Sequence, residues 1–309
     1  VKAITAMAAQ ARRQENASAY LRSVGLKDAT IVVDNGRRKT IWHVPALDID
    51  MRHKRSLSRI AGRAEVATFT GPITIGFQAI ETVSDQSLAI EATVEGANPR
   101  GLARQLPALL PLSSLDMPLD GKARMNLAGD GVLTSATLEM TARPGRIHAG
   151  SLALPPLAVE TGGILASFDR ARHDIEISRA FVAGDYGALE ARGVLRPVAA
   201  VSGNAPEAWR FEIDGLSGHL GTNAGGSTAM PIEAMSLRGT IDADQGGVAL
   251  ETAKARVGGV EIDVSSVQPA AGDPNPAILV GRIGAVTLAR LTSAWPPAWP
   301  GSSGSIPRP

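Results

Sequence analysis

Leu47-Asp48-Ile49-Asp50-Met51-Arg52 alternates apolar and charged residues with a period of two. Successive side chains of an extended strand point to opposite faces. The stretch therefore reads as a strand with Leu47, Ile49 and Met51 on one side and Asp48, Asp50 and Arg52 on the other. The alternation recurs at Ile73/Ile75/Phe77/Ala79 and at Leu88/Ile90/Ala92/Val94, the latter opposed by Glu91, Thr93 and Glu95. Further copies are Ala123/Met125/Leu127, Leu138/Met140/Ala142, Ile175/Ile177, Trp209/Phe211/Ile213, Val248/Leu250 and Val260/Ile262/Val264. Strands with one wet face belong to antiparallel sheets, and the lack of long intervening helices argues against a doubly wound α/β fold. Thr30–Val33 and Thr40–Val44 flank Asp34-Asn35-Gly36, where Asn-Gly favours the left-handed backbone of a tight hairpin turn.

Two segments depart from this period. Residues 1–24 are Ala-rich, run through Arg12, Arg13, Gln14, Glu15, Ala19, Tyr20 and Leu21, and read as a helical lead-in that stops near Gly25. Asn98-Pro99 supplies a cap and a first-turn proline for a short helix near 99–110. Leu102, Leu106 and Leu109 or Leu110 line one side of it, and Pro107 and Pro111 end it. This helix is expected to lie as a partial lid on an apolar surface.

A loose internal repeat follows. Leu165 to Pro197 carries Phe168-Asp169, Ile175-x-Ile177, Ala180 and Gly187; Leu237 to Pro269 carries Ile241-Asp242, Val248-x-Leu250, Ala253 and Gly259. The offset of about 72 residues points to stacked sheet modules rather than a closed barrel. The expected organisation is a lead-in at 1–24, a repeating β region at 25–290, and a Pro/Gly/Ser-rich tail at 291–309.

Hydrophobic residues make up 44% of the chain and aromatics only 4%, so the apolar mass is aliphatic, unlike that of a compact enzyme rich in Phe, Tyr and Trp. Lys and Arg number 31 against 30 Asp and Glu, which argues against a nucleic-acid binder needing a basic excess. The absence of cysteine excludes disulfide frameworks, thiolate metal sites and thiol nucleophiles. No stretch approaches the ~20 apolar residues of a membrane span. The chain begins at Val1 without Met and reads as an excerpt, with any anchor or targeting signal upstream.

Constellations for chemistry are sparse. His43, His53, His148, His173 and His219 are scattered without metal-site spacing. Asp48-x-Asp50 and Asp242-x-Asp244 each put two carboxylates on one side of a strand, which a hydrolase or cation site would use, but a solvated sheet face explains them more simply. Gly129-Asp130-Gly131 leads into a strand, not the helix that a dinucleotide fingerprint requires, and Gly225-Gly226-Ser227-Thr228 lacks a phosphate-loop lysine. Arg37-Arg38-Lys39 and Arg52-His53-Lys54-Arg55 lie at turns, where they keep hairpin tips soluble or touch anionic head groups. No catalytic, metal or cofactor residues are expected.

What remains is the apolar face. Burying one Val, Leu or Ile is worth about 1.5–3 kcal/mol, so many strands with such a face cannot leave it wet. Either two sheets close on each other as a sandwich, or the face meets something else. The few aromatics and the repeat favour an open, curved antiparallel sheet whose groove is lined by Leu47, Ile49, Met51, Ile73, Ile75, Phe77, Leu88, Ile90, Val94, Leu138, Met140, Ile175, Ile177, Leu250 and Ile262.

At this point the chain resembles a family. Ala19-Tyr20-Leu21-Arg22, Val24-Gly25-Leu26-Lys27-Asp28-Ala29 and Trp42-His43-Val44-Pro45-Ala46-Leu47-Asp48 are similar to segments of the AsmA-like envelope proteins, of the YhdP and TamB type, especially the YhdP branch. So are Asn98-Pro99 leading to Leu102 and Leu106, the loop Leu115-Asp116-Met117-Pro118-Leu119-Asp120-Gly121, and Leu291-x-x-x-Trp295-Pro296-Pro297. The likeness covers most of residues 15–298, after which the chain departs into Ala298-Trp299-Pro300-Gly301-Ser302. It implies a repeating β-groove protein of the envelope, anchored in the inner membrane through a segment outside this chain, that conducts phospholipid across the periplasm. The implied partners are phospholipid, the rest of the longer chain and envelope proteins. A non-catalytic assembly scaffold with sandwich packing is the alternative.

Overall fold

The computed structural model describes residues 22–34, 39–54, 56–103, 112–148, 156–185, 187–198, 208–221, 229–242, 248–267 and 278–284. The first half runs β1 (Ser23–Asp34), β2 (Lys39–Lys54), β3 (Leu57–Thr68), β4 (Gly71–Thr82), β5 (Leu88–Ala97), α1 (Pro99–Ala103), β6 (Leu115–Asp116), β7 (Leu119–Leu127), β8 (Leu133–Ala142) and β9 (Gly145–Ile147). The second runs β10 (Leu157–Val159), β11 (Thr161–Asp169), β12 (Asp174–Gly184), β13 (Gly187–Val198), β14 (Ala208–Leu220), β15 (Met230–Asp242), β16 (Val248–Val257), β17 (Val260–Val267) and β18 (Ile278–Ile283).

The protein is mainly β, as the alternation predicts. Fifteen strands form one antiparallel sheet in the order β1 to β5, β7, β8 and β11 to β18, each beside its neighbour in sequence. The chain leaves this meander twice, between β5 and β7 and between β8 and β11. The excursions supply α1 and a small sheet ordered β10-β9-β6. β1 and β2 pair antiparallel up to Asp34 and Lys39; the expected turn at Asn35-Gly36 lies outside the described residues. The two repeat copies fall on β11–β13 and β15–β17, four strands apart in the same sheet.

Bulges keep the apolar residues on one face where the sequence changes parity. In β2 the apolar positions switch from Trp42 and Val44 to Leu47, Ile49 and Met51, and the β2–β3 register shifts between His43 and Ala46. Pro45, which has no N–H to give to a ladder, sits inside that shift. Asp28 adopts a left-handed backbone (φ 50°) between the paired Lys27 and Ala29 of β1. Trp42, Ile31 and Leu47 consequently all pack against the cluster of Val44, Val66, Ile73 and Ala97. β12 repeats the device between Ile177 and Ala180.

The lead-in requires one correction. Residues 1–21 lie outside the described residues, but Ser23 and Val24, assigned above to the helix, belong to β1, where they pair with Asp50 and Ile49. Gly25, expected to stop the helix, pairs with Asp48. Cross-strand pairing has overridden local helical preference there. The short helix is observed as Pro99–Ala103; Leu106, Leu109, Leu110, Pro107 and Pro111 lie outside the described residues, as does the tail at 291–309.

Candidate apolar binding face

Directly paired residues in adjacent strands share a face of the sheet, so the registers trace rows across it. One row runs Leu26, Leu47, Ala64, Ile75, Val94, Gly121, Met140 and Ile164. It continues through Ala180, Ala191, Gly215, Met235, Ala255, Ile262 and Ile283, reaching the last strand without a polar residue. The adjacent row starts Val24, Ile49, Gly62, Phe77, Ala92, Ala123, Leu138 and Ala166. It ends with Ile177, Gly193, Ile213, Leu237, Ala253, Val264 and Gly281. A third carries Met51, Ile90, Ile175, Phe211 and Leu250. At a strand spacing of about 4.8 Å, each full row is on the order of 70 Å long.

Every lining residue named from the sequence lies on this one face. Ile73 pairs with Val66 and Leu88 with Leu127 on the same side. The pairing also adds residues that the alternation did not name, among them Ile60, Ile164 and Leu195, together with Phe168 and small residues such as Gly62 and Gly193. The opposite face is polar. Asp48, Arg63, Thr93, Lys122 and Glu139 stand there, as do Gln78, Glu91, Arg124 and Glu212. Cross-strand ion pairs lace it: Glu91 accepts from Lys122 at 2.8 Å and Arg124 at 3.0 Å, and Arg179 holds both oxygens of Glu190 at 3.1 Å. Hydrogen bonds from Lys122 and then Arg124 hold the Glu91 carboxyl below its ordinary range. Asp48 and Asp50 are exposed on this outer face, beside Arg63 and Ala61 of β3, while Asp244 lies outside the described residues.

Burial across the apolar face is uneven. At one rim it is complete: Val44 is 2% exposed and Ile73 3%, under Leu102 of α1. Farther along that rim the small sheet covers it. Leu115, Ile147 and Val159 pack with Met117 onto Leu119, Met140, Ala142 and Val182. Away from this cover burial is mixed: Ala79, Leu88 and Leu127 form a buried cluster and Phe211 is buried, most of the remaining lining is half-buried, and Leu138 is 37% exposed. Among the described residues, no layer other than α1 and the three short strands lies over the face. Of the expected lid leucines, Leu102 is placed on it; Leu106 and Leu109 lie outside the described residues.

The cover is held by polar groups at its joint. The side-chain oxygen of Asn98 accepts from the N–H groups of Arg100 at 3.0 Å and Gly101 at 3.4 Å, capping α1 as its sequence predicts. Gly101 is required by contact, because an added Cβ would stand 2.5 Å from the Thr70 hydroxyl. Asn98 also donates to Asp116 Oδ1 at 3.0 Å, and Arg100 Nη1 donates to Asp116 Oδ2 at 2.9 Å. The bond from Asn98 outweighs the opposing effect of burial and, with Arg100, holds the Asp116 carboxyl low. Arg143 grips Asp120 through both oxygens, at 2.6 and 2.8 Å, and the Gly96 N–H adds a third bond at 2.8 Å.

Comparison with protein-family models, curated proteins and solved structures finds no match for this chain. The sheet and its rows therefore define the molecule by themselves: an open antiparallel meander with one polar and one aliphatic face.

Proposed function

We propose that the aliphatic face forms the floor of an open groove that shields the acyl chains of phospholipid, without catalysis. The observation that carries this reading is the continuity of the apolar rows from the first strand to the last, over a face on which, among the described residues, a second layer lies only along one rim. Exposing an acyl chain costs about 0.8 kcal/mol per CH₂, so a chain of ~16 carbons crosses water only at great cost. An unbroken apolar track lowers that cost at every step along it, and no reactive side chain is needed. The likeness to AsmA-like envelope proteins supports the same reading: a segment of a bridge between inner and outer membranes, in the periplasm, tethered by a part of the protein outside this chain.

The alternative, a scaffold whose apolar faces pack only on each other, has less support, because a three-stranded partner sheet is far smaller than the fifteen strands it would have to cover. The test is native mass spectrometry with lipid extraction on the whole chain purified without detergent. Phospholipid is expected to co-purify, and to be lost when Ile75, Ile90 and Ile177 are each changed to Asp while the circular dichroism of the sheet persists. A folded protein that carries no lipid and takes up none from added phospholipid would establish the scaffold instead.

A further inference from the structure

The joint between the two halves of the cover contains a histidine that the proposed groove does not use. His148 follows β9 directly, and its backbone N–H is fixed by the Ser114 carbonyl at 2.8 Å. Its Nε2 stands 2.7 Å from Arg100 Nη1 and 3.5 Å from Asp116 Oδ2. A guanidinium nitrogen can only donate, so the short contact is a hydrogen bond only when Nε2 is the unprotonated acceptor. Arg100 thereby bridges α1 to two residues of the small sheet's framework at once. All three side chains are partly exposed, so solvent protons can reach the ring.

We propose that this cluster is an acid-released clasp: protonation of His148 frees Arg100 and loosens α1 from the rim of the apolar face. With a proton on Nε2, two cationic donors meet at the 2.7 Å contact. Among the described residues, the acceptor recorded near both is Asp116 Oδ2, to which Arg100 already donates at 2.9 Å. Imidazolium and guanidinium then crowd the same carboxylate, and the repulsion between the two cations replaces the hydrogen bond that joined them. The other charged residue of this ladder, Arg146 of β9, stands across from Asp116 and adds a further positive charge on the same side. Asp116 stays ionised throughout, since its partners hold it low. After release, the bond from Asn98 to Asp116 Oδ1 is left as the polar link between α1 and β6. Leu102 is then free to lift from Val44, Val66 and Ile73. The geometry of the cover carries this proposal whether or not lipid occupies the groove.

Hydrogen exchange on the full chain at pH 7.5 and 5.5, corrected for intrinsic rates, tests it. The readout is the segment Pro99–Ala103, whose Leu102 N–H is bonded to the Asn98 carbonyl at 3.0 Å; the β16–β17 hairpin, which α1 does not touch, is the internal reference. In the wild type, protection of the segment should fall roughly threefold on acidification, the size expected for a partly exposed pair, with the hairpin unchanged. His148→Gln should stay flat between the two pH values, and His148→Arg should be poorly protected at both. An equal fall in His148→Gln, a fall shared by the hairpin, or no fall in the wild type would each overturn the clasp.

Discussion

Phe77 lies over Gly62. The two are direct cross-strand partners on the apolar face, and the ring approaches to 2.7 Å of where a Gly62 Cβ would stand. Phe211 covers Gly239 in the same way at 2.6 Å, and on the outer face Phe181 covers Gly163 at 2.6 Å while Arg179 sits 4.8 Å from its ring centre. Each ring supplies to its partner strand the apolar surface that glycine lacks. Gly62→Ala should therefore destabilise the sheet by about 1–3 kcal/mol, as overpacking does. The Asp48 carbonyl is also 2.7 Å from that Cβ. Combining the change with Phe77→Leu should consequently recover only part of the loss, read as urea midpoints of the two single variants and the double one.

The uneven burial of the apolar face sets two aspartate substitutions apart. Ile73→Asp buries a charge beneath Leu102 and should cost more than about 3 kcal/mol. Leu138→Asp, at a position 37% exposed, should cost about 1 kcal/mol or less. Equal losses in thermal unfolding would mean that a second layer covers Leu138.

Asp120 gives a pH dependence. Burial alone would push its carboxyl up, but Arg143 and the Gly96 N–H outweigh that and hold it below the ordinary 3.8. A depressed folded pKa contributes stability that is present above the unfolded value and lost as pH falls through the folded one. Asp120→Asn should thus cost about 1 kcal/mol at neutral pH, after allowance for solvent screening of the exposed Arg143. The gap between wild type and variant should be constant above about pH 5 and close below pH 4, measured as denaturant midpoints across that range.

Asn98 has two duties that point in opposite electrostatic directions. Its oxygen caps α1, and its amide nitrogen donates to Asp116 at 3.0 Å. Asn98→Ala should cost about 1 kcal/mol. Asn98→Asp keeps a capping oxygen but sets two carboxylates together, so it should be no better than Ala. Equilibrium unfolding of both variants checks this; an aspartate variant as stable as wild type would remove Asp116 from the account.

The strands that the sequence displays are those in which large aliphatics alternate with charges, such as Leu47 to Arg52. β3 was hidden because its apolar face is built from Ile60, Gly62, Ala64 and Val66, and Gly62 is small for a reason located on β4, where Phe77 fills the space. Parity changes obscured others: Ile177 and Ala180 face the same way only because of the bulge between them. The three strands of the small sheet are two or three residues long, too short for a period to show. That the alternating aliphatics share one face of the sheet was legible because it needs only local alternation. The Asp116–Arg100–His148 cluster was not, since it exists only once β6 pairs with β9. The end of the lead-in was misplaced because Ser23 and Val24 take their conformation from β2, not from their own neighbours.

That each strand lies beside its sequence neighbour has a further consequence. No distant closure completes such a sheet, so assembly can begin at any hairpin and proceed outward like a zipper, with stability close to a sum over units and their interfaces. Removing β17 and β18 would expose a new edge at β16 and leave the pairing of the strands before it intact. Addition of a hairpin of the same alternation would lengthen the aliphatic track by two strand widths. The length of the track is thereby set by the number of hairpins, separately from the chemistry of the surface that each of them carries.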